Sequence, residues 1–239
     1  MDETYKEMFR RLGENDSLEK LGVRDITYKI HVQSNLSGKY EEKLMGTRLR
    51  CAKDKFRMDV IMPNEKGTAL GDPVSGVYYP QEVVVKIEDN EWTIEQMKYE
   101  DEKNTAAPFV QAKMAKEFIA AEKNKIKFES SNGKILGRNC VILKASFDAN
   151  DVNRTRLNRL GISLEGSSEM PSYIEYWFDQ ESGVLLAWTL CVEATKKGLF
   201  LTKRGKVILR EEAVKYNPQP SFSREVFEPK KFARTRFDR

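Results

Sequence analysis

Histidine is nearly absent from this chain of 239 residues: His31 stands alone. One imidazole excludes histidine-rich metal sites and leaves a serine or cysteine nucleophile without an obvious base. Cysteine is scarce as well. The widely spaced Cys51, Cys140 and Cys191 build neither a disulfide scaffold nor a zinc ribbon, and an odd count leaves at least one thiol unpaired. No window approaches the run of about 18 apolar residues that a membrane helix needs. Charge of one sign is not in excess, since 41 Lys and Arg against 37 Asp and Glu leave +4, no footprint for nucleic acid. Glycine-rich phosphate loops are missing. Gly161-Ile162-Ser163-Leu164-Glu165 lacks the second glycine of a nucleophile elbow.

What is present is 40% hydrophobic and 33% charged, the balance of a soluble globular chain with a substantial core. Met1 to Lys6 carries no apolar segment, so no signal peptide is visible. Two settings fit: the cytoplasm, or the periplasm or cell envelope if a leader has been removed. Cys140 and Cys191 fall inside apolar strands, where a buried free thiol is the commoner state.

Periodicity divides the chain. In a helical segment over 1–22, Tyr5, Met8, Phe9 and Leu12 form one apolar stripe. A first group of strands fills 23–100, with Ile26–Val32, Tyr40–Cys51, Phe56–Met62, Val77–Tyr79, Val83–Ile87 and Trp92–Met97 as its members. Phe56, Met58, Val60 and Met62 alternate with Arg57 and Asp59, so one face is apolar and the other wet. A helix follows over 105–123, with Pro108 in its first turn and Phe109, Met114, Phe118 and Ile119 on its apolar side. A second group of strands spans 125–217, with members Lys125–Glu129, Ile135–Phe147, Tyr173–Asp179, Val184–Val192 and Leu199–Tyr216. It is interrupted by an insertion over 151–171 with a short helix at Val152–Leu160. The hairpin turn at Asp179–Gly183 is the clearest local feature, and Lys203-Arg204-Gly205-Lys206 reads as a second hairpin turn. A tail over 218–239 closes the chain. No repeat and no linker appears, which predicts one domain of α+β class: a large curled antiparallel sheet, a half-open β-barrel, covered by a few helices.

A twisted sheet with so few helices needs cover for its apolar face. Under-covered, it encloses a cavity suited to a long apolar ligand. The predicted lining is Phe56, Met58, Val60, Trp92, Tyr176, Phe178, Leu186 and Trp188, with Met114 and Phe118 as the lid. Flexible Met side chains adapt to differing chains. No catalytic residue, metal or cofactor is expected. His31 alternates with Ile30 and Val32 and faces water, and the acidic runs Glu41-Glu42, Glu100-Asp101-Glu102 and Glu211-Glu212 read as solvated faces. A tail with Arg224, Lys230, Lys231, Arg234, Arg236 and Arg239 reads as solvated, or as a contact for anionic headgroups.

Several motifs resemble the LolA/LolB family of outer-membrane lipoprotein-sorting proteins and their RseB-type relatives. Gly46-Thr47-Arg48-Leu49-Arg50-Cys51 leads through a turn into Lys55–Pro63. Gly76-Val77-Tyr78-Tyr79-Pro80 resembles the family's aromatic strand. Gly137–Leu143, Tyr173–Leu186, and Tyr216-Asn217 followed by Phe227-Glu228-Pro229 resemble its later half. The resemblance implies a LolA-like half-open barrel holding a lipid, acyl chain or acylated protein in the cell envelope, without enzymatic activity. The family's latching arginine-proline pair is replaced by Ala52 and Lys53, so lipoprotein release does not carry over. The alternative is an envelope-stress sensor or a scaffold domain whose interior is filled and whose surface binds another protein.

Overall fold

Period-2 alternation from Arg24 onward is realised as eleven antiparallel strands. They are β1 (Arg24–Ser34), β2 (Glu41–Cys51), β3 (Lys55–Pro63), β4 (Leu70–Pro80), β5 (Val83–Glu88), β6 (Glu91–Gln96), β7 (Lys127–Ile135), β8 (Arg138–Asp148), β9 (Pro171–Asp179), β10 (Leu185–Lys197) and β11 (Thr202–Asn217). A computed structural model describes residues 3–35, 41–53, 55–64, 66–67, 69–80, 83–88, 91–96, 108–148, 151–153, 155, 171–197 and 202–227. The side chains of 18, 41–42, 72–80, 83–88, 91–96, 108–111, 171, 193–197 and 202–204 are outside that description. The strands form one sheet in the order β6-β5-β4-β3-β2-β1-β11-β10-β9-β8-β7. Two meanders therefore meet where β1 pairs with β11 at the centre, and β6 and β7 are left as open edges. The curled antiparallel sheet of α+β class expected from the alternation is what forms.

Register carries the same side of the sheet across many strands. One row runs Met45–Ile30–Glu211–Trp188–Tyr176–Leu143, and the next runs Lys43–Val32–Leu209–Leu190–Ile174–Ala145. Helices α1 (Glu3–Glu14) and α3 (Pro108–Glu122) lie on this face, here called inner. Met8 and Leu12 of α1, and Ala112, Ala115, Phe118 and Ile119 of α3, pack into one cluster with Leu143, Ala145, Ile174, Tyr176, Phe178 and Trp188. Ala112 and Ala115 are both fully buried, and such small side chains let a helix backbone approach closely.

Helix α1 stops earlier than its composition suggests. The Asn15 side chain donates to the Arg11 carbonyl at 2.9 Å and to the Gly183 carbonyl at 2.9 Å, while Leu185 N–H donates to Asn15 Oδ1 at 3.0 Å. Side-chain competition for helix carbonyls ends the helix and bolts it to the β9–β10 hairpin. A four-residue α2 (Leu18–Leu21) follows. Lys116 of α3 reaches Asp16 at 2.9 Å, which ties the two covering helices together.

Three turn expectations are resolved. Asp179–Gly183 turns as read, with Gly183 at φ 70° and Asp179 N–H donating to the Val184 carbonyl at 2.9 Å. The β7–β8 turn falls at Leu136 and Gly137, φ 53° and 75°. Two successive positive φ values match the twist of a tight hairpin, so Ser130–Lys134 is strand where the sequence reading left a gap. Lys203–Lys206 is not a turn. It continues β11, with Lys203 opposite Lys196 and Gly205 opposite Ala194; a run of charged residues is compatible with strand pairing because the ladder is made by the backbone. Of the insertion, Asp151–Asn153 is described, and Val152 joins the inner cluster; the helix expected over Val152–Leu160 otherwise lies outside the described residues. Among those residues no helix is long and apolar enough to cross a membrane.

Candidate ligand-binding face

The predicted lining residues divide between two packed clusters. Tyr176, Phe178 and Trp188 lie beneath α1 and α3 in the first, together with the lid residue Phe118. Phe178 is fully buried, with the Arg11 guanidinium 5.9 Å above its ring. Phe118 stacks edge-on against Phe147 at 5.3 Å. Phe56, Met58 and Leu186 belong to the second cluster, with Ile26, Tyr28, Leu49, Cys51 and Ala213. Met114, half-buried, touches both. Val60 is half-buried opposite Thr47. Trp92 sits opposite Ile87 in β6, and its side chain lies outside the described residues.

A β-bulge separates the two clusters. Leu185 faces Phe178 and Ala187 faces Trp177, with one extra residue between them. Leu185 joins the first cluster and Leu186 the second. Tyr28, whose hydroxyl donates to the Leu185 carbonyl at 3.0 Å, fastens β1 to the same point. Burial pushes the Tyr28 phenol well above its usual range, so that hydrogen bond keeps its proton.

Among the described residues, the helical cover stops short of β1–β3. Beyond the second cluster the inner face continues as Ile30, Val32, Val60 and Leu209, all half-buried, and Met45, 38% exposed. Met62, 42% exposed, follows Val60 by two residues. Ile30 and Met45 are direct cross-strand partners, as are Val32 and Leu209. Among the described residues the accessible strip is thus a run of half-buried and exposed apolar side chains across β11, β1, β2 and β3. Of the residues that form it, sequence reasoning placed only Val60 in the lining. Alternation marked Ile30 and Val32 as strand residues, but nothing in the sequence shows where α1 and α3 stop covering the sheet.

One acid interrupts the hydrocarbon. Glu211 was read as part of a solvated pair, and the structure corrects this: Glu211 is 5% exposed. Trp188 Nε1 donates to its Oε2 at 2.6 Å, and Thr47 Oγ1 donates to its Oε1 at 3.2 Å. Burial raises its pKa above the usual carboxylate value, against the opposing effect of the two donors. Strand alternation explains the difference within the pair, because Glu212 turns outward and accepts from Arg210 at 2.7 Å. Glu41 and Glu42 have undescribed side chains, and Glu100-Asp101-Glu102 lies outside the described residues. His31 is half-buried between Arg210 and Leu44 on the outer side.

The three cysteines are free and buried. Burial pushes the Cys51 thiol up to about 12 and raises Cys140, so neither is a ready nucleophile. An open depression of about 670 Å³ lies elsewhere, where β7–β10 leave the 3-10 turn Lys123–Lys125; Ile126, Lys144, Phe147, Tyr173 and Cys191 are among its walls. It contains none of the predicted lining. At the position of the family's latch, Ala52 packs on Phe227 of the C-terminal 3-10 turn Arg224–Phe227. The basic tail beyond Phe227 lies outside the described residues.

Among solved structures, the chain is similar to LprF from Mycobacterium bovis, at 11% identity over 91% of this chain and 96% of that one, with a TM-score of 0.39. It is also similar to a domain described as an outer membrane lipoprotein-sorting protein from Vibrio parahaemolyticus, at 11% identity, 96% and 99% coverage and a TM-score of 0.33. A DUF1329 family protein from Desulfovibrio piger follows at 10% identity, 95% and 98% coverage and a TM-score of 0.33. No family model matches the chain, and no curated protein matches it.

Proposed function

We propose that this protein binds the hydrocarbon tail of an amphiphile, a lipid or an acylated protein, along the uncovered strip of its inner face, and does so without catalysis. The supporting observation is the asymmetry of the cover: two bolted helices bury the face over β8–β10, while Ile30, Met45, Val60 and Leu209 stay accessible over β1–β3 and β11. A tail lying along the strip loses about half its contact with water. At about 0.4 kcal/mol per CH₂, half the full burial value, twelve methylenes gain about 5 kcal/mol, a Kd on the order of 0.2 mM for a bare chain. Two methionines at the mouth, Met45 and Met62, adapt to tails of differing shape. The setting we propose is the cell envelope, on the resemblance of the motifs.

Titration with 1-dodecanol below its solubility limit, followed through Trp188 fluorescence, tests the reading. Binding is expected for the unaltered protein and loss of binding for Met45→Glu, with both folding alike by circular dichroism. Equal responses from the two proteins would count against the strip. The second reading is a scaffold with a filled interior, and the first cluster favours it, since Met8, Leu12, Ile119 and Phe178 are fully buried. Recovery of only the bare protein mass, by native mass spectrometry after mild extraction, together with no dodecanol response would favour that reading instead.

A further inference from the structure

Glu211 stands at the point where the accessible strip runs into the helix-covered core. In its row, Met45 and Ile30 lie on the open side and Trp188 and Tyr176 on the closed side. Its surroundings offer hydrogen bonds but no countercharge. Strand β2 gives it the Thr47 hydroxyl, β10 gives the Trp188 indole, and β1 brings Tyr28 and Ile30 alongside. Its neighbours on β11, Arg210 and Glu212, point to the other face and pair with each other at 2.5 Å. Among the described residues no basic side chain forms an ion pair with it. An ionised carboxylate has roughly four acceptor positions, and two are used here. Buried carboxylates are ordinarily matched by a cation, because the uncompensated charge is costly.

We infer that Glu211 is the headgroup anchor of the strip, and that the preferred ligand is a single-tailed cationic amphiphile whose ammonium N–H groups donate to the Glu211 carboxylate. The inference rests on tail binding as proposed above and adds the chemistry of the head. With its tail over Ile30, Met45 and Val60, a long-chain amine brings its ammonium to the covered end of the strip. There it supplies the missing positive charge and occupies the unused acceptor positions. A fatty carboxylate would set like charge against Glu211, and an alcohol would supply one hydrogen bond without charge. Burial raises the pKa of Glu211 in the free protein, and a cation beside the carboxylate favours its ionised form.

Isothermal titration of the full chain with dodecylamine, dodecyltrimethylammonium, 1-dodecanol and dodecanoate, each below its critical concentration, tests this. Dodecylamine is expected to bind about tenfold or more tightly than dodecanol, the increment of a charge-assisted hydrogen bond. Dodecanoate should bind least. The trimethylammonium probe carries the charge without N–H donors and should lose most of the advantage. In Glu211→Gln the amine and alcohol affinities should converge. If that variant fails to fold, the trimethylammonium comparison on the unaltered protein carries the same decision. Dodecanoate binding as tightly as the amine, or an amine advantage surviving in Glu211→Gln, would overturn the anchor. If dodecanol binds and the amine binds no better, only the anchor falls. If no probe binds, tail binding fails and the anchor with it.

Discussion

Two buried acids behave oppositely because their neighbours differ. Asp59, 1% exposed, lies between Arg50 and Arg57, which face each other across β2 and β3. Arg57 Nε donates to its Oδ1 at 2.6 Å and Arg50 to its Oδ2. Without the carboxylate, two guanidinium groups would stand opposite each other half-desolvated. Asp59→Asn is therefore expected to cost about 3–5 kcal/mol, the range for breaking a buried pair, measured as a shift of the urea midpoint. Glu211 has only neutral donors, and burial raises its pKa above the usual 4.5. A raised carboxyl is proton-bound in the folded chain where the unfolded chain has already ionised. Its contribution is thus intact below about pH 4.5 and is lost as pH climbs through the folded value. Glu211→Gln should melt roughly 2–4 °C higher than the unaltered protein at pH 8, about 1 kcal/mol at this chain length, and the gap should close toward pH 4. A constant difference across that range would contradict the assignment.

At the scale of elements, packing decides what alternation alone cannot. Gly133 of β7 lies under the Trp177 ring, and a Cβ there would sit 2.4 Å from ring carbon Cζ3 and 2.9 Å from Ile142 Cδ1. Gly133→Ala is expected to cost about 1–3 kcal/mol by overpacking, visible in thermal melts as a lower midpoint. Phe118 carries α3 onto the sheet, 1% exposed, and Phe118→Ala should cost about 3–5 kcal/mol by the same denaturation assay. The strands themselves and the inward sides of β3, β9 and β10 were legible because Phe56, Met58, Tyr176, Phe178 and Trp188 recur at period two. The split of those residues between two clusters was not legible. It depends on the extra residue at Leu186, set by the pairing with β9, and on Asn15 ending α1, whose partners Gly183 and Leu185 lie more than 160 residues away in sequence. The burial of Glu211 was hidden for a related reason: an acidic doublet looks solvated until the strand's register assigns each member a face.

For the whole molecule, cover and openness are distributed unevenly along one sheet. All three thiols are sequestered, so a thiol reagent such as dithionitrobenzoate should label none in the native protein and three after denaturation in guanidinium. Fast labelling of the native chain would show that the packed clusters open readily. Among the described residues the sheet edges at β6 and β7 have no further strand partner, and β7 meets solvent with an almost wholly exposed pattern broken only by Phe128, Gly133 and Ile135. Polar residues such as Lys127, Glu129 and Lys134 on that edge discourage further strand addition.

The doubled position in β10 gives the molecule a hinge-like economy of parts. Leu185 and Leu186 belong to different clusters one peptide bond apart, and Asn15 holds Leu185 N–H beneath α1. Removing Leu186 would restore simple alternation and take its side chain out of the second cluster, a loss expected to lower the thermal midpoint, while Met114 would still bridge the two clusters.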